Sequence, residues 1–160
     1  MTVMKNTCST EESKQAACNI LPATYTTEQV IAEVEKVNAD PTVDGLLVQL
    51  PLPKGFSEKR VIDSIAAEKD VDGFTPVNVG KMLIGDDCFL PCTPHGIIKL
   101  IEVTGMDISG KHAVVIGRSN IVGKPVAALL SRKSVNATVT MCHTGTKDIS
   151  AFTRTADVVV

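Results

Sequence analysis

The feature that most constrains the fold is an alternation in the last third of the chain. From residue 112 onward, short apolar runs and helical patterns take turns: "HAVVI", "IVGKPVAALLSRK", "ATVTMC", "DISAFTRTA" and "DVVV". The β-branched runs are the length of buried strands, and the segments between them carry helical spacing. A strand, helix, strand, helix, strand order forces parallel pairing, because each connection must cross a face of the sheet. It is half of a doubly wound, Rossmann-like nucleotide-binding sheet.

The first strand-to-helix junction reads "VVIGRSNIVGKP". Gly117 and Gly123 stand six apart, wider than the G-x-G-x-x-G of the usual dinucleotide fingerprint. The loop follows a strand and opens a helix, which is where backbone N–H groups gather around phosphates. Arg118 adds a cation and Ser119 a hydroxyl. Pro125 falls in the first helical turn, where its missing N–H costs nothing. An ordinary tight turn remains the other reading of that spacing. The second strand ends "MCHTGTK", with no carboxylate before Asp148 to hold a ribose 2′-OH. His143, Thr144 and Lys147, with Arg118, could accept a 2′-phosphate instead. That favours NADP, with NAD the alternative; exposed loop residues would look the same.

Upstream, "TTEQVIAEVEKVNADPT" reads as a helix. Thr26 and Gln29 form a capping box, Val30, Ile31, Val34 and Val37 recur at helical spacing, and Asn38, Asp40 and Pro41 end it. "VDGLLVQL" is a nearly continuous apolar run and suggests a buried, parallel strand. "SEKRVIDSIAAEK" suggests a second helix, "DVDGFTPVNVGKMLIGDD" a glycine-punctuated loop, and "TPHGIIKLIEVTG" a helix opened by Thr93 and Pro94 and stopped by Gly105. The chain therefore divides into two α/β units, residues 1–104 and 105–160.

Three polar positions stand out in the first unit. Gln49 ends an apolar strand and needs hydrogen-bond partners, either as a core amide or as a site residue. Asp70 and Asp72 lie in a loop after a helix, where Asp-Gly is also a common turn pair. Thr93 and His95 stand at a helix entrance, and capping accounts for Thr93. His95 and His112 read as surface or structural residues.

Composition narrows the class. The 160 residues are 44% hydrophobic and 21% charged, with a net charge of −2. That gives no electrostatic case for nucleic acid. No apolar run approaches the roughly 18 residues of a membrane span, and the first 20 residues lack a signal-peptide core. Five scattered cysteines argue for reduced thiols in the cytoplasm rather than a disulfide framework. "CFLPC" has no second cysteine pair near it, so it reads as small buried residues and no metal is expected.

Taken together, "VDGLLVQLPLP", "EKDVDGFTPVNVGK", "PCTPHGI", "GKHAVVIGRSNIVGKPVAALL" and "ATVTMCHTGT" resemble the bifunctional methylenetetrahydrofolate dehydrogenase/methenyltetrahydrofolate cyclohydrolase family, the FolD type. The resemblance runs from about Leu21 to Val160. It implies a folate-binding catalytic domain facing a Rossmann-like domain, usually in a homodimer. It also implies two reactions of the one-carbon metabolism that serves purine biosynthesis. A hydride passes from 5,10-methylenetetrahydrofolate to NADP, and the methenyl product is hydrolysed to 10-formyltetrahydrofolate.

By resemblance Gln49 is the glutamine that hydrogen-bonds a catalytic lysine, and Asp72 is the aspartate that anchors the pterin. Leu50, Pro51 and Thr93 line the folate cleft. Gly117, Arg118, Ser119, Ile121 and Gly123 form the cofactor loop, and His143 and Thr144 stand by the 2′-phosphate. The family's lysine belongs to a Tyr-x-x-x-Lys motif. Counting back from Leu21–Pro22 puts Lys5 at the lysine and Met1 at the tyrosine, so Lys5 is the candidate by register alone. The strand and helix that precede this motif in the family, and the glycine-rich segment beyond Val160, have no counterpart here. The expectation is a chain truncated at both ends, with weak turnover or none. A non-catalytic nucleotide-binding or regulatory fragment is the alternative.

Overall fold

The computed structural model describes residues 2–8 and 14–160, with side chains from residue 17 onward. The chain forms two compact units, residues 1–78 and 79–160. This division falls earlier than residue 104 because helix α4 (Cys92–Thr104) buries Ile98 in the second core, together with Met82, Val126 and Leu130.

In the first unit, strands β1 (Thr2–Cys8), β2 (Lys14–Ile20) and β3 (Gly45–Val48) form an antiparallel sheet ordered β2-β1-β3. Helix α1 (Thr27–Ala39) buries Val30, Val34 and Val37 in a core with Leu46, Val48, Leu52, Val61 and Ile65. The capping box is present as the sequence suggests. The Gln29 N–H donates to Thr26 Oγ1 (3.3 Å), and the Thr26 N–H donates to Gln29 Oε1 (2.8 Å).

Three elements differ from the sequence reading. Strand β3 runs antiparallel to β1, and its parallel contact is a single bridge between Leu46 and Asp70. A continuous apolar run reports burial on both faces, which does not encode strand direction. Helix α2 spans only Glu58–Asp63. The Asn38 side chain, far away in sequence, ends it by donating to the Ser64 carbonyl (2.7 Å) and accepting from the Ala66 N–H (3.0 Å). Residues taken for loop form helix α3 (Pro76–Ile84). Its first residue is a proline, a favoured start, and Gly80 inside it meets no neighbour that would exclude a Cβ.

In the second unit, strands β4 (His112–Ile116), β5 (Thr138–Cys142) and β6 (Val158–Val159) are all parallel, in the order β5-β4-β6. Helices α5 (Gly123–Leu130) and α6 (Ile149–Thr153) make the crossovers. The chain leaves β4 to one side for β5, then returns across it to β6. The order therefore reverses at β4, and loops diverge from its carboxyl end, where open α/β sheets bind ligands. His112 braces the opposite end of β4. Its Nδ1–H donates to the Thr155 carbonyl (3.2 Å), and Nε2 pairs with Thr140 Oγ1 (2.9 Å).

The capping box is the most exposed of these devices to a direct test. Thr26→Ala should lower the stability of the first unit by about 1 kcal/mol, read as an earlier urea midpoint with unchanged slope. An unchanged midpoint would contradict that role.

Candidate functional site

The first unit's candidate site is the turn that carries Asp72. Its approach is held from both sides. The Lys69 ammonium donates to the carbonyls of Val37 (3.0 Å), Asn38 (2.8 Å) and Asp40 (2.7 Å), closing the C-terminal end of α1. The Leu46 N–H donates to the Lys69 carbonyl (2.7 Å), joining the turn to β3. Asp70 is buried and accepts from the Thr75 N–H (2.8 Å) and Asn78 Nδ2 (3.0 Å). A Cβ on Gly45 would stand 2.5 Å from Val71 Cγ1, so only glycine lets Val71 pack there. Gly73 completes the turn with φ +66°.

Asp72 projects from this frame half-buried, and it makes no hydrogen bond or ion pair among the described residues. Burial pushes its carboxyl above the usual carboxylate range, and the charge of Asp70 adds to that. A carboxyl that is partly desolvated and unpaired is suited to accept N–H donors from a ligand.

Gln49 is exposed rather than a core amide, and its Nε2 donates to the Leu50 carbonyl (2.9 Å). The Leu50–Pro51 peptide bond is cis. Leu50 packs on the first core, Pro51 is exposed, and the Leu52 N–H is held by Glu58 Oε1 (2.9 Å). Glu58 carried no signal in the sequence beyond its place at a helix start. The Lys5 side chain lies outside the described residues. The Lys5 backbone is in β1, between Ala17 of β2 and Leu46 of β3.

In the second unit the wide glycine spacing has a physical cause. A Cβ on Gly123 would fall on the Gly117 carbonyl, 2.7 Å from its carbon. The start of α5 thus rests directly on the backbone at the end of β4. Gly117 has φ +129° and donates its N–H to the Cys142 carbonyl (2.8 Å). Ser119 serves the helix: its Oγ accepts from the N–H groups of Val122 (3.1 Å) and Gly123 (3.2 Å). The backbone N–H groups of Arg118, Ser119, Asn120 and Ile121 donate to nothing among the described residues. The Arg118 side chain is exposed and without an ion pair there. Four free N–H groups and a guanidinium on one loop fit an anionic group such as a phosphate.

The loop after β5 is ordered by its own side chains. His143 Nδ1 accepts from the Gly145 N–H (3.0 Å), and the His143 N–H donates to Thr146 Oγ1 (2.9 Å). Thr144 and Lys147 are exposed. Asp148 is occupied as the cap of α6. The Ser150 hydroxyl (2.6 Å) and the Ala151 N–H (3.1 Å) donate to it, and they hold its carboxyl below the usual range. No carboxylate is therefore offered directly at the end of β5.

Thr93 departs from its expected part. Helix α4 begins at Cys92 with Pro91 as its cap, and no side chain caps it. Thr93 lies exposed in the first turn, with its hydroxyl unused among the described residues. Gly105 ends the helix in the left-handed region, φ +71°, as the sequence suggests. Cys88 and Cys92 are free thiols, and no group of three metal-ligating side chains occurs among the described residues.

Fold and loops define an α/β protein whose second unit is a parallel, nucleotide-binding type of sheet. The family model for the tetrahydrofolate dehydrogenase/cyclohydrolase catalytic domain matches residues 3–72, and that for the family's NAD(P)-binding domain matches residues 91–160. The chain belongs to the tetrahydrofolate dehydrogenase/cyclohydrolase family.

The bifunctional protein FolD of Geobacillus thermodenitrificans is 57% identical over 139 residues, 87% of this chain and 48% of that protein. The solved structure of the bifunctional enzyme FolD from Campylobacter jejuni superimposes with a TM-score of 0.82 at 46% identity, covering 87% of this chain and 49% of that one. FolD of Trypanosoma brucei, solved with NADP cofactor and inhibitor, gives 0.81 at 39%, covering 88% and 48%. The chain spans about half the length of the curated relatives it matches.

Two substitutions test these geometries. Gly123→Ala must displace backbone, so it should destabilise the second unit by about 2 kcal/mol or more, seen by hydrogen exchange along β4 and α5. Full retention of protection would contradict the close contact. Asp72→Asn addresses the raised pKa. The folded chain holds the Asp72 proton more tightly than the unfolded chain. Stability is therefore lost as pH rises through the ordinary carboxylate range and the folded pKa, and the penalty is full above both. The amide should raise the melting temperature at pH 7, by ~2 °C. The gain should vanish below the ordinary carboxylate range. A variant that matches the parent at every pH would show that Asp72 carries no burial penalty.

Proposed function

We propose that this chain provides the folate anchor and the cofactor loop of a methylenetetrahydrofolate dehydrogenase and methenyltetrahydrofolate cyclohydrolase. In this reading the substrate is 5,10-methylenetetrahydrofolate and the cofactor is NADP. The observation that carries it is the unpaired, half-buried Asp72 on a turn held by Lys69 and Asp70.

Asp72 ionises on meeting the paired N–H donors of the pterin, because those donors replace the water its burial excludes. Leu50 and Pro51 offer apolar surface beside it. Among the described residues Gln49 bonds only to the neighbouring carbonyl, and its amide oxygen is suited to accept from a lysine ammonium. By register that lysine is Lys5. Its part is to hold and move the proton of the water that attacks the methenyl carbon.

The bound nicotinamide supplies hydride-acceptor chemistry. The free N–H groups from Arg118 to Ile121 hold the cofactor's phosphates, and Gly117 and Gly123 set the loop's shape. Ser119 keeps that shape through the start of α5. Arg118, His143 and Thr144 favour a 2′-phosphate over a bare ribose, since Asp148 is committed to capping. Thr93, exposed in the first turn of α4, is the further folate contact that the family resemblance implies. The folate role is assigned to the first unit, residues 1–78, and the nucleotide role to residues 91–160, where the family's NAD(P)-binding model matches. The protein is cytoplasmic and homodimeric, and serves purine biosynthesis. No described helix is long and apolar enough to cross a membrane.

Calorimetry tests the cofactor assignment. The chain should bind NADP more tightly than NAD. Arg118→Ala should weaken NADP about 10- to 100-fold, the range for losing a charge-assisted contact, and narrow the preference. Equal loss for both nucleotides would place Arg118 on the pyrophosphate instead. No binding of either would refute the loop assignment.

A further inference from the structure

We propose that Asp70 is the positioning residue of the folate anchor: its buried carboxylate, by holding the Thr75 N–H and Asn78 side chain, fixes the turn that presents Asp72. This rests on the reading of Asp72 as the pterin contact. It goes further, because the family resemblance stated above gives Asp70 no part.

The geometry is specific. Asp70 is 1% exposed, and Asp residues are rarely so buried unless paired. Here the same oxygen, Oδ2, takes the Thr75 N–H at 2.8 Å and Asn78 Nδ2 at 3.0 Å. Asn78 is buried too and also donates to the Ala67 carbonyl (2.9 Å). One carboxylate thus ties the start of α3 to the residues before the turn. The backbone adds a second fastening, since the Gly73 N–H donates to the Asp70 carbonyl (3.2 Å). Val71, next to Asp72, packs against Gly45, where a Cβ would stand 2.5 Å from its Cγ1.

The charge of Asp70 also acts on its neighbour. It is the charge that pushes the Asp72 carboxyl up beyond what burial does. Burial and the Asp70 charge are the two influences acting on Asp72. The Lys69 ammonium is turned to the α1 carbonyls, and Asp44 and Glu68, acidic like Asp70, are exposed. A residue that served packing alone could be replaced by its isostere without changing how Asp72 titrates. Asp70 could not.

The experiment is a carboxyl carbon NMR titration of the ligand-free chain and of Asp70→Asn. In the parent, Asp72 should titrate above the ordinary carboxylate range. In Asp70→Asn its midpoint should fall, and the Thr75 amide proton should move upfield as it loses a charged acceptor. An unmoved Asp72 midpoint in the folded variant overturns the proposal. If Asp70→Asn does not fold, the parent decides: its Thr75 amide proton should lie downfield, as expected for a donor to a carboxylate, and a random-coil Thr75 amide shift overturns the proposal.

Calorimetry with tetrahydrofolate is the second readout. Affinity should fall about 10-fold in Asp70→Asn, the loss of one well-placed charged contact. Unchanged affinity overturns the positioning claim. Absence of binding by the parent chain refutes the folate reading alone, and the titration still settles the role of Asp70.

Discussion

The second unit depends on one backbone contact. Gly123 at the head of α5 rests on the carbonyl of Gly117 at the end of β4, with no room for a side chain between them. This contact sets the distance between strand and helix, and it places the intervening residues on the outside of the bend. Ser119 then takes the two N–H groups at the helix start, so the N–H groups left free are those of the bend itself. The wide glycine spacing is therefore a different solution to the same requirement met by the usual dinucleotide fingerprint. Two backbones must touch, and the loop between them must keep its donors unspent.

The first unit solves a related problem with side chains. An exposed turn would be too mobile to hold an unpaired carboxyl in one place. Two adjacent residues anchor it in opposite directions. Lys69 closes the C-terminal end of α1, and Asp70 fixes the start of α3. Burial makes Asp72 costly to ionise while it is unpaired, a cost that N–H donors from a ligand would relieve. Sites of this kind trade stability for binding.

Much of this was legible in the sequence wherever the cause was local. The Thr26–Gln29 capping box, the Gly105 stop and the strand–helix alternation after residue 112 depend on neighbours within a few residues. What was misread depended on distant partners. Asn38 ends α2 from 26 residues away in sequence, and nothing in "SEKRVIDSIAAEK" signals it. Helix α3 was hidden by Pro76 and Gly80, residue types that usually break structure; here Pro76 starts the helix and Gly80 sits inside it. The direction of β3 was not encoded, because burial on both faces looks the same for either orientation. In the candidate site, Gln49, Asp72 and Arg118 were singled out from motifs. The work of Lys69 and Asp70 was not, since it consists of hydrogen bonds that spacing does not reveal. The Ser119 hydroxyl, read as a ligand contact, also accepts from the two N–H groups at the start of α5.

The central claim is that one chain carries both a folate anchor and a cofactor loop. The most direct measurement is amide NMR with NADP and tetrahydrofolate added in turn. NADP should shift signals at residues 117–123 and 143–147. Tetrahydrofolate should shift a separate set, at residues 49–51 and 69–75. Tetrahydrofolate that leaves the second set unmoved, while NADP shifts the first, would contradict the account and reduce the chain to a nucleotide-binding module.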